Sequence, residues 1–215
     1  MNDKNIDFYK KIDIDKFKEF ARLIGLDTKI DIDLIYPHIK SAKILAEFGA
    51  GYGRVIEALL EKKFEGKVLV YERVHELATY LKTKLKKHGS PQTIELIEED
   101  FKTAKLKKID AVLWLWSGFL ELSPQEQQEN VSRIYNALNE KGILVIEIPI
   151  EVKHIGTATD RKMIKVETDW GTMEAYMPSY EELVSYGTKA GFSQIERLNY
   201  NTNTNLKRTI YFFRK

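Results

Sequence analysis

Between residues 43 and 148 the chain repeats one rhythm: a strand-length apolar run, then a helix-length segment, then another run. The runs are "KILAEF" (43–48), "KVLVYE" (67–72), "TIELIE" (93–98), "DAVLWLW" (110–116) and "GILVIEI" (142–148). The helical segments are Arg54 to Lys63, Val74 to His88 and Pro124 to Glu140. The last opens on "SPQE", where Ser123 can cap, Pro124 suits the first turn and Glu126 completes a capping box. The stretch from Phe101 to Lys108 is too short to assign. This alternation predicts an α/β fold, a doubly wound and mostly parallel sheet with helices on both faces.

The rhythm then changes. "MIKVET" and "TMEAYM" flank "DWG" and read as a β-hairpin inserted after strand five, about 161–177. A helix in "PSYEELVSYGTKAGF", ending near Gly191, precedes "SQIERLNY" and "LKRTIYFFR". Only "NTNTN" separates those two runs, so they pair antiparallel and bring the sheet to seven strands, with an antiparallel last strand. At the front, "DKFKEFARLIG" and "DLIYPHIK" are short amphipathic patterns, the second broken at Pro37. They predict a helical lid (1–42) on a domain spanning 43–215, the whole forming one structural domain.

Composition narrows the function classes. Among 215 residues, 34 basic and 32 acidic side chains leave a net charge of +2, which gives no strong field to recruit nucleic acid or a membrane surface. With no cysteine there is no disulfide, thiolate nucleophile or cysteine zinc site, and the default compartment is the cytosol. The N-terminal residues mix charge into every turn and lack the apolar centre of an export signal. The four histidines, His38, His75, His88 and His154, lack metal-ligand spacing, so no metal is expected.

The first strand runs into "AEFGAGYGRV" (46–55), the first strand-to-helix turn and so the usual ligand contact of such a sheet. Gly49 permits the sharp turn, Gly51 lets a ligand approach the main chain, and Gly53 starts a helix with free amides. Glu72 ends strand two, 19 residues after Gly53 (72 minus 53), where a carboxylate can take both hydroxyls of a ribose. A dinucleotide fingerprint would need its third glycine where Arg54 stands, and Glu47 repels a pyrophosphate. A nucleoside carrying an amino-acid zwitterion meets both demands.

"EFGAGYG" resembles the E/D-x-G-x-G-x-G signature of class I S-adenosylmethionine-dependent methyltransferases, and the resemblance extends from about Lys43 to the C-terminus. It implies S-adenosyl-L-methionine as cofactor, with Glu47, Gly49, Gly51 and Gly53 around its methionyl part and Ala50 and Arg73 among the other contacts. Glu72 is implied at the ribose, Asp100 at the adenine amino group with Phe101 beside the ring, and Trp116 and Ser117 near the transferable methyl. The residues also allow plainer roles. Glu99 and Asp100 can cap a helix, Phe101 can be core, and Tyr52 can face solvent or close over substrate. Strand alternation puts Trp114 and Trp116 on one face, with only Trp116 reaching the cleft.

Methyl transfer from a sulfonium is an in-line displacement, so alignment and exclusion of water matter more than a dedicated catalytic side chain. The catalytic candidates are Glu147, an acid inside "LVIEIP" that needs a partner if buried, His154 just beyond it, and Trp116. Glu147 with Trp116, Trp170 and Tyr176 would hold an amine or other cation. "WLWSGF" lacks the (N/D)-P-P-(Y/F) stretch of members that methylate exocyclic base nitrogens, so the expected acceptor is a small molecule, with a protein side chain as alternative. A nonenzymatic nucleoside-binding subunit and a nicotinamide-dependent oxidoreductase are the competing classes.

Overall fold

The computed structural model describes residues 3–87, 93–116, 118–150, 157–158, 162–168 and 171–215. Its order is α1 (Asp3–Lys10), α2 (Ile14–Leu23), α3 (Ile30–Ile39), β1 (Ile44–Phe48), α4 (Arg54–Glu61), β2 (Lys67–Tyr71), α5 (His75–Lys87), β3 (Ile94–Ile97) and β4 (Ile109–Trp114). A 3-10 turn at Gly118–Glu121 then leads to α6 (Pro124–Ala137), β5 (Leu138–Pro149), β6 (Thr157–Ala158), β7 (Met163–Thr168), β8 (Gly171–Tyr176), α7 (Tyr180–Ala190), β9 (Gln194–Asn201) and β10 (Lys207–Arg214).

One sheet has the order β3-β2-β1-β4-β5-β10-β9. The first five of these strands are parallel, β10 runs antiparallel to β5, and β9 antiparallel to β10. The order reverses between β1 and β4, and in such sheets the crevice at that switch point is where ligands bind. Alternation along the strands builds two cores. Phe48, Leu144 and Ile146 pack with Val131 and Ile134 of α6 and Leu183 of α7. Leu45, Ile143 and Val145 pack on the other face with Ile32 and Ile35 of α3, Val55 of α4 and Leu81 of α5. The expected seven-stranded α/β fold is therefore observed.

Local sequence explains the element ends. Ser123 and Glu126 form the reciprocal capping box of α6, and Ser179 and Glu182 form a second at α7. Gly191 closes α7 in the left-handed conformation at φ 106°. Pro37 does not break the N-terminal pattern as expected. It sits in the last turn of α3, where it forfeits one helical hydrogen bond while Ile32, Ile35 and Ile39 stay buried. α1, which the sequence pattern does not predict, lies along β8: the Asn5 amide donates to the Glu174 carbonyl at 2.9 Å and its oxygen accepts from the Glu174 N–H at 3.1 Å. The expected hairpin is β7 and β8, widened by β6 to a three-stranded sheet. Among the described residues no helix is long and apolar enough to cross a membrane.

A buried ion pair joins the N-terminal helices to the glycine turn. Arg54, the first residue of α4, donates to both oxygens of Asp31 in α3, at 2.6 and 2.7 Å, and to the Leu26 carbonyl at 3.1 Å. Both side chains are almost wholly buried, at 4% and 0% exposure, so either charge left alone would be strongly disfavoured. Asp31→Ala is expected to cost about 3–5 kcal/mol. Equilibrium urea unfolding checks this, as a lower midpoint at unchanged slope.

Candidate functional site

A cleft opens at the carboxyl ends of β1, β2 and β4, and the turn after β1 forms its floor. Gly49, Gly51 and Gly53 all have positive φ, at 72°, 56° and 85°. The three differ in purpose. A side chain at Gly49 would meet nothing within 4 Å, so the main chain lies bare toward the cleft. One at Gly51 would meet the Phe17 ring at 3.1 Å. Gly53 is set back from the cleft lining, and a Cβ there would strike Leu81 of α5 at 2.6 Å, so its smallness serves packing. Ala50 lines the cleft and is buried.

Glu47 lies at the end of β1 with its carboxylate buried, and its Oε2 has no hydrogen-bond partner. Burial pushes its pKa up to about 8; the positive charge of Arg54 opposes this rise and the Glu72 charge adds to it. A buried acceptor without a donor is costly, so the position calls for a cationic or N–H-bearing ligand. Glu72, just past β2, accepts from the Gly51 N–H and the Val74 N–H, both at 2.9 Å. Those bonds, with a further one from the Arg73 main chain, tie the glycine turn to the second strand and still leave the carboxylate acceptor capacity for a hydroxyl. Burial also raises the Glu72 pKa, against the donors that hold it.

The other expected contacts divide. Arg73 lines the cleft and pairs with Asp100 at 3.3 Å. Asp100 itself is not in the lining. Its Oδ1 accepts from the Lys102 N–H at 2.9 Å and its carbonyl from Thr103 and Ala104, so it caps its own turn, while its neighbours Glu99 and Phe101 face the cleft. Phe101 is both wall and core, stacked 4.8 Å from Phe48 and edge-on to Trp114 at 4.5 Å. Ser117, His154 and Trp170 lie outside the described residues.

The expectation that Trp114 and Trp116 share one face needs correction. β4 ends at Trp114, and Trp116 takes a left-handed φ of 53°, which interrupts the alternation. Trp114 packs against Phe48, Phe101 and Phe119, whereas Trp116 lies against Phe17, Phe20 and Tyr52, with the Arg54 guanidinium 5.9 Å from its ring. Both indoles line the cleft. Tyr52 is buried in this cluster and does not face solvent.

Glu147 is the second correction. Its carboxylate is absent from the cleft lining and fully occupied: Arg208 donates to both oxygens, Tyr200 donates to Oε1 at 2.9 Å, and the Trp116 N–H donates to Oε2 at 3.0 Å. It holds Trp116 in its strained turn and is not a free base. Tyr176, expected beside it, donates to Glu182.

The N-terminal segment read as a lid does roof the cleft, with Phe17 and Phe20 of α2, but sequence reasoning missed Phe8, Tyr9 and Ile12 in and after α1 and Met173 of β8. It also missed Glu121, at the end of the 3-10 turn after β4. Only an acid inside the apolar "GFLEL" signals it. Among the described residues no cluster of histidine, cysteine, aspartate or glutamate could hold a metal ion.

Residues 6–168 match the family described as AdoMet dependent proline di-methyltransferase. The chain belongs to that family. No curated protein sequence matches it significantly. Among solved structures, an S-adenosylmethionine-dependent methyltransferase from Clostridium acetobutylicum ATCC 824 superposes with TM-score 0.67 at 14% identity, covering 92% of this chain and 98% of that one. A 1,6-didemethyltoxoflavin-N1-methyltransferase from Burkholderia thailandensis, solved with its substrate and S-adenosylhomocysteine, gives 0.65 at 14% identity over 89% of this chain and 79% of its own. A glycopeptide N-methyltransferase gives 0.67 at 13% identity, covering 85% and 93%.

This member is thus a class I S-adenosylmethionine-dependent methyltransferase, and its cleft fits the cofactor. The unpartnered Glu47 Oε2 suits the methionyl ammonium, the open main chain at Gly49 suits close approach, and Glu72 suits the ribose. When bound, the cofactor supplies an electrophilic methyl on a sulfonium. Two outcomes follow. Because Glu47 must ionise to meet an ammonium, S-adenosylhomocysteine affinity is expected to rise between about pH 6 and pH 8 with proton release, and Glu47→Gln to flatten that rise, by calorimetry in buffers of different ionisation enthalpy. Glu72→Ala is expected to weaken the same binding by roughly 1–3 kcal/mol, read by the same calorimetry.

Proposed function

We propose that this methyltransferase carries the methyl group to a small-molecule amine held beneath the N-terminal helices. The observation that carries the reading is the roof of the cleft: Phe8, Tyr9, Phe17 and Phe20 cover it from one side and Met173 of the hairpin sheet from another. Such a cover suits an enclosed ligand more than a broad macromolecular surface, and it excludes water from the displacement. Aromatic faces beside buried carboxylates favour a cation or amine over a neutral alcohol.

The chain's own residues have defined work in that reaction. Glu147 and Arg208 fix the main chain at Trp116, and Trp116 with Phe17 and Phe20 forms an apolar wall against which an acceptor is oriented. Proline, in the family's description, is itself a secondary amine. That description favours a second reading, the N-terminal proline of a polypeptide, whose nitrogen is still a free amine and whose entry would require α1 and α2 to move aside.

Formation of S-adenosylhomocysteine is the test. Incubated with the labelled cofactor and a panel of small primary and secondary amines, alcohols and carboxylates, the protein is expected to turn over amines alone. Turnover confined to peptides that begin with proline would overturn the small-molecule reading. Cofactor binding with no turnover on any acceptor would overturn enzymatic methyl transfer altogether.

A further inference from the structure

We propose that Glu121, held by Tyr9, is the carboxylate that receives the ammonium of the acceptor and takes its proton. The inference rests on the amine reading above and adds the residue that makes it work. Glu121 stands at the end of the 3-10 turn that follows β4, and it lines the cleft together with Tyr9, Phe101, Trp114 and Met173. The Tyr9 hydroxyl donates to its Oε1 at 2.6 Å and also lies 3.5 Å from the Met173 sulfur, so that oxygen is fixed from α1. Its Oε2 is buried and has no hydrogen-bond partner.

Among the described residues the cleft holds two buried carboxylate oxygens with no partner at hydrogen-bond distance, Glu47 Oε2 and Glu121 Oε2, although the Asn5 amide lies near the latter carboxylate. The cofactor brings one ammonium, and Glu47 beside the bare glycine turn is placed to take it. Glu121, at the end of the 3-10 turn after β4, is left for a second cation. A buried acid of this kind wants an N–H donor, and an amine arriving as its ammonium provides one.

An ammonium cannot attack a methyl group, because its nitrogen has no free pair. Transfer of one proton from nitrogen to Glu121 Oε2 breaks the N–H bond, leaves the pair on nitrogen and forms a neutral carboxylic acid, which returns the proton to solvent after turnover. The groups facing Glu121 tune this step. Burial raises its pKa to about 7; the Tyr9 hydrogen bond, the Arg73 charge and the Asn5 amide oppose the rise, and the Glu72 charge adds to it. Burial also raises the Tyr9 phenol well above its ordinary value, so Tyr9 stays a donor throughout.

The test uses the full chain with carboxyl-labelled glutamate and saturating S-adenosylhomocysteine, followed by carbon NMR, with the Glu121 resonance assigned by its loss in Glu121→Gln. Piperidine is the cationic probe and tetrahydropyran its neutral counterpart. The expected result is a Glu121 midpoint near 7 that falls by a unit or more with piperidine, stays put with tetrahydropyran, and rises in Tyr9→Phe. An unmoved midpoint with piperidine overturns the proposal. So does a resonance that S-adenosylhomocysteine alone displaces, coupled to tenfold weaker binding of it by Glu121→Gln, which would make Glu121 a cofactor contact. If amines are turned over while Glu121 ignores them, the carboxylate's role fails and the amine reading stands. If S-adenosylhomocysteine does not bind, both fail together. Should Glu121→Gln not fold, Tyr9→Phe and Glu121→Asp carry the same measurement.

Discussion

The site depends on one buried guanidinium. Arg54 begins the helix behind the glycine turn, yet its partners, Asp31 and the Leu26 carbonyl, belong to the segment before the sheet. The same group lies over the Trp116 ring and within electrostatic reach of Glu47. A lysine could not make the two-pronged bond to Asp31 and also present a flat face to an indole. The N-terminal helices, the cofactor turn and the wall at the end of β4 are thereby referred to a single charge, and none of the three can shift independently of it.

A second arrangement is a cluster of buried acids. Glu47, Glu72 and Glu121 share one apolar cleft, and burial drives all three toward the protonated form. Glu72 is relieved by main-chain donors, whereas Glu47 and Glu121 each keep an oxygen without one. The protein thus carries local instability of the kind that a cationic ligand would relieve, and affinity for such a ligand would draw on that deficit as well as on the bonds it makes.

The sheet was readable because each strand is a short apolar run bounded by polar residues, and the glycine turn because three glycines alternate directly behind an acid. What escaped is what long-range contact decides. α1 is a mixed, charged octapeptide held by distant contacts such as Asn5 to Glu174, 169 residues away. Glu121 looks like a surface acid until Tyr9, 112 residues upstream, buries it. Arg54 was legible only as a departure from the dinucleotide pattern, because its partner lies 23 residues before it. The place of Trp116 is not legible, because one left-handed residue cancels the alternation that the strand obeys up to Trp114.

The Asn5 clasp on β8 uses only the main chain of Glu174, one bond to its carbonyl and one from its N–H. An amide that grips a peptide unit is indifferent to the side chains around it. Changes in the hairpin's side chains would therefore leave the two hydrogen bonds of that seam in place.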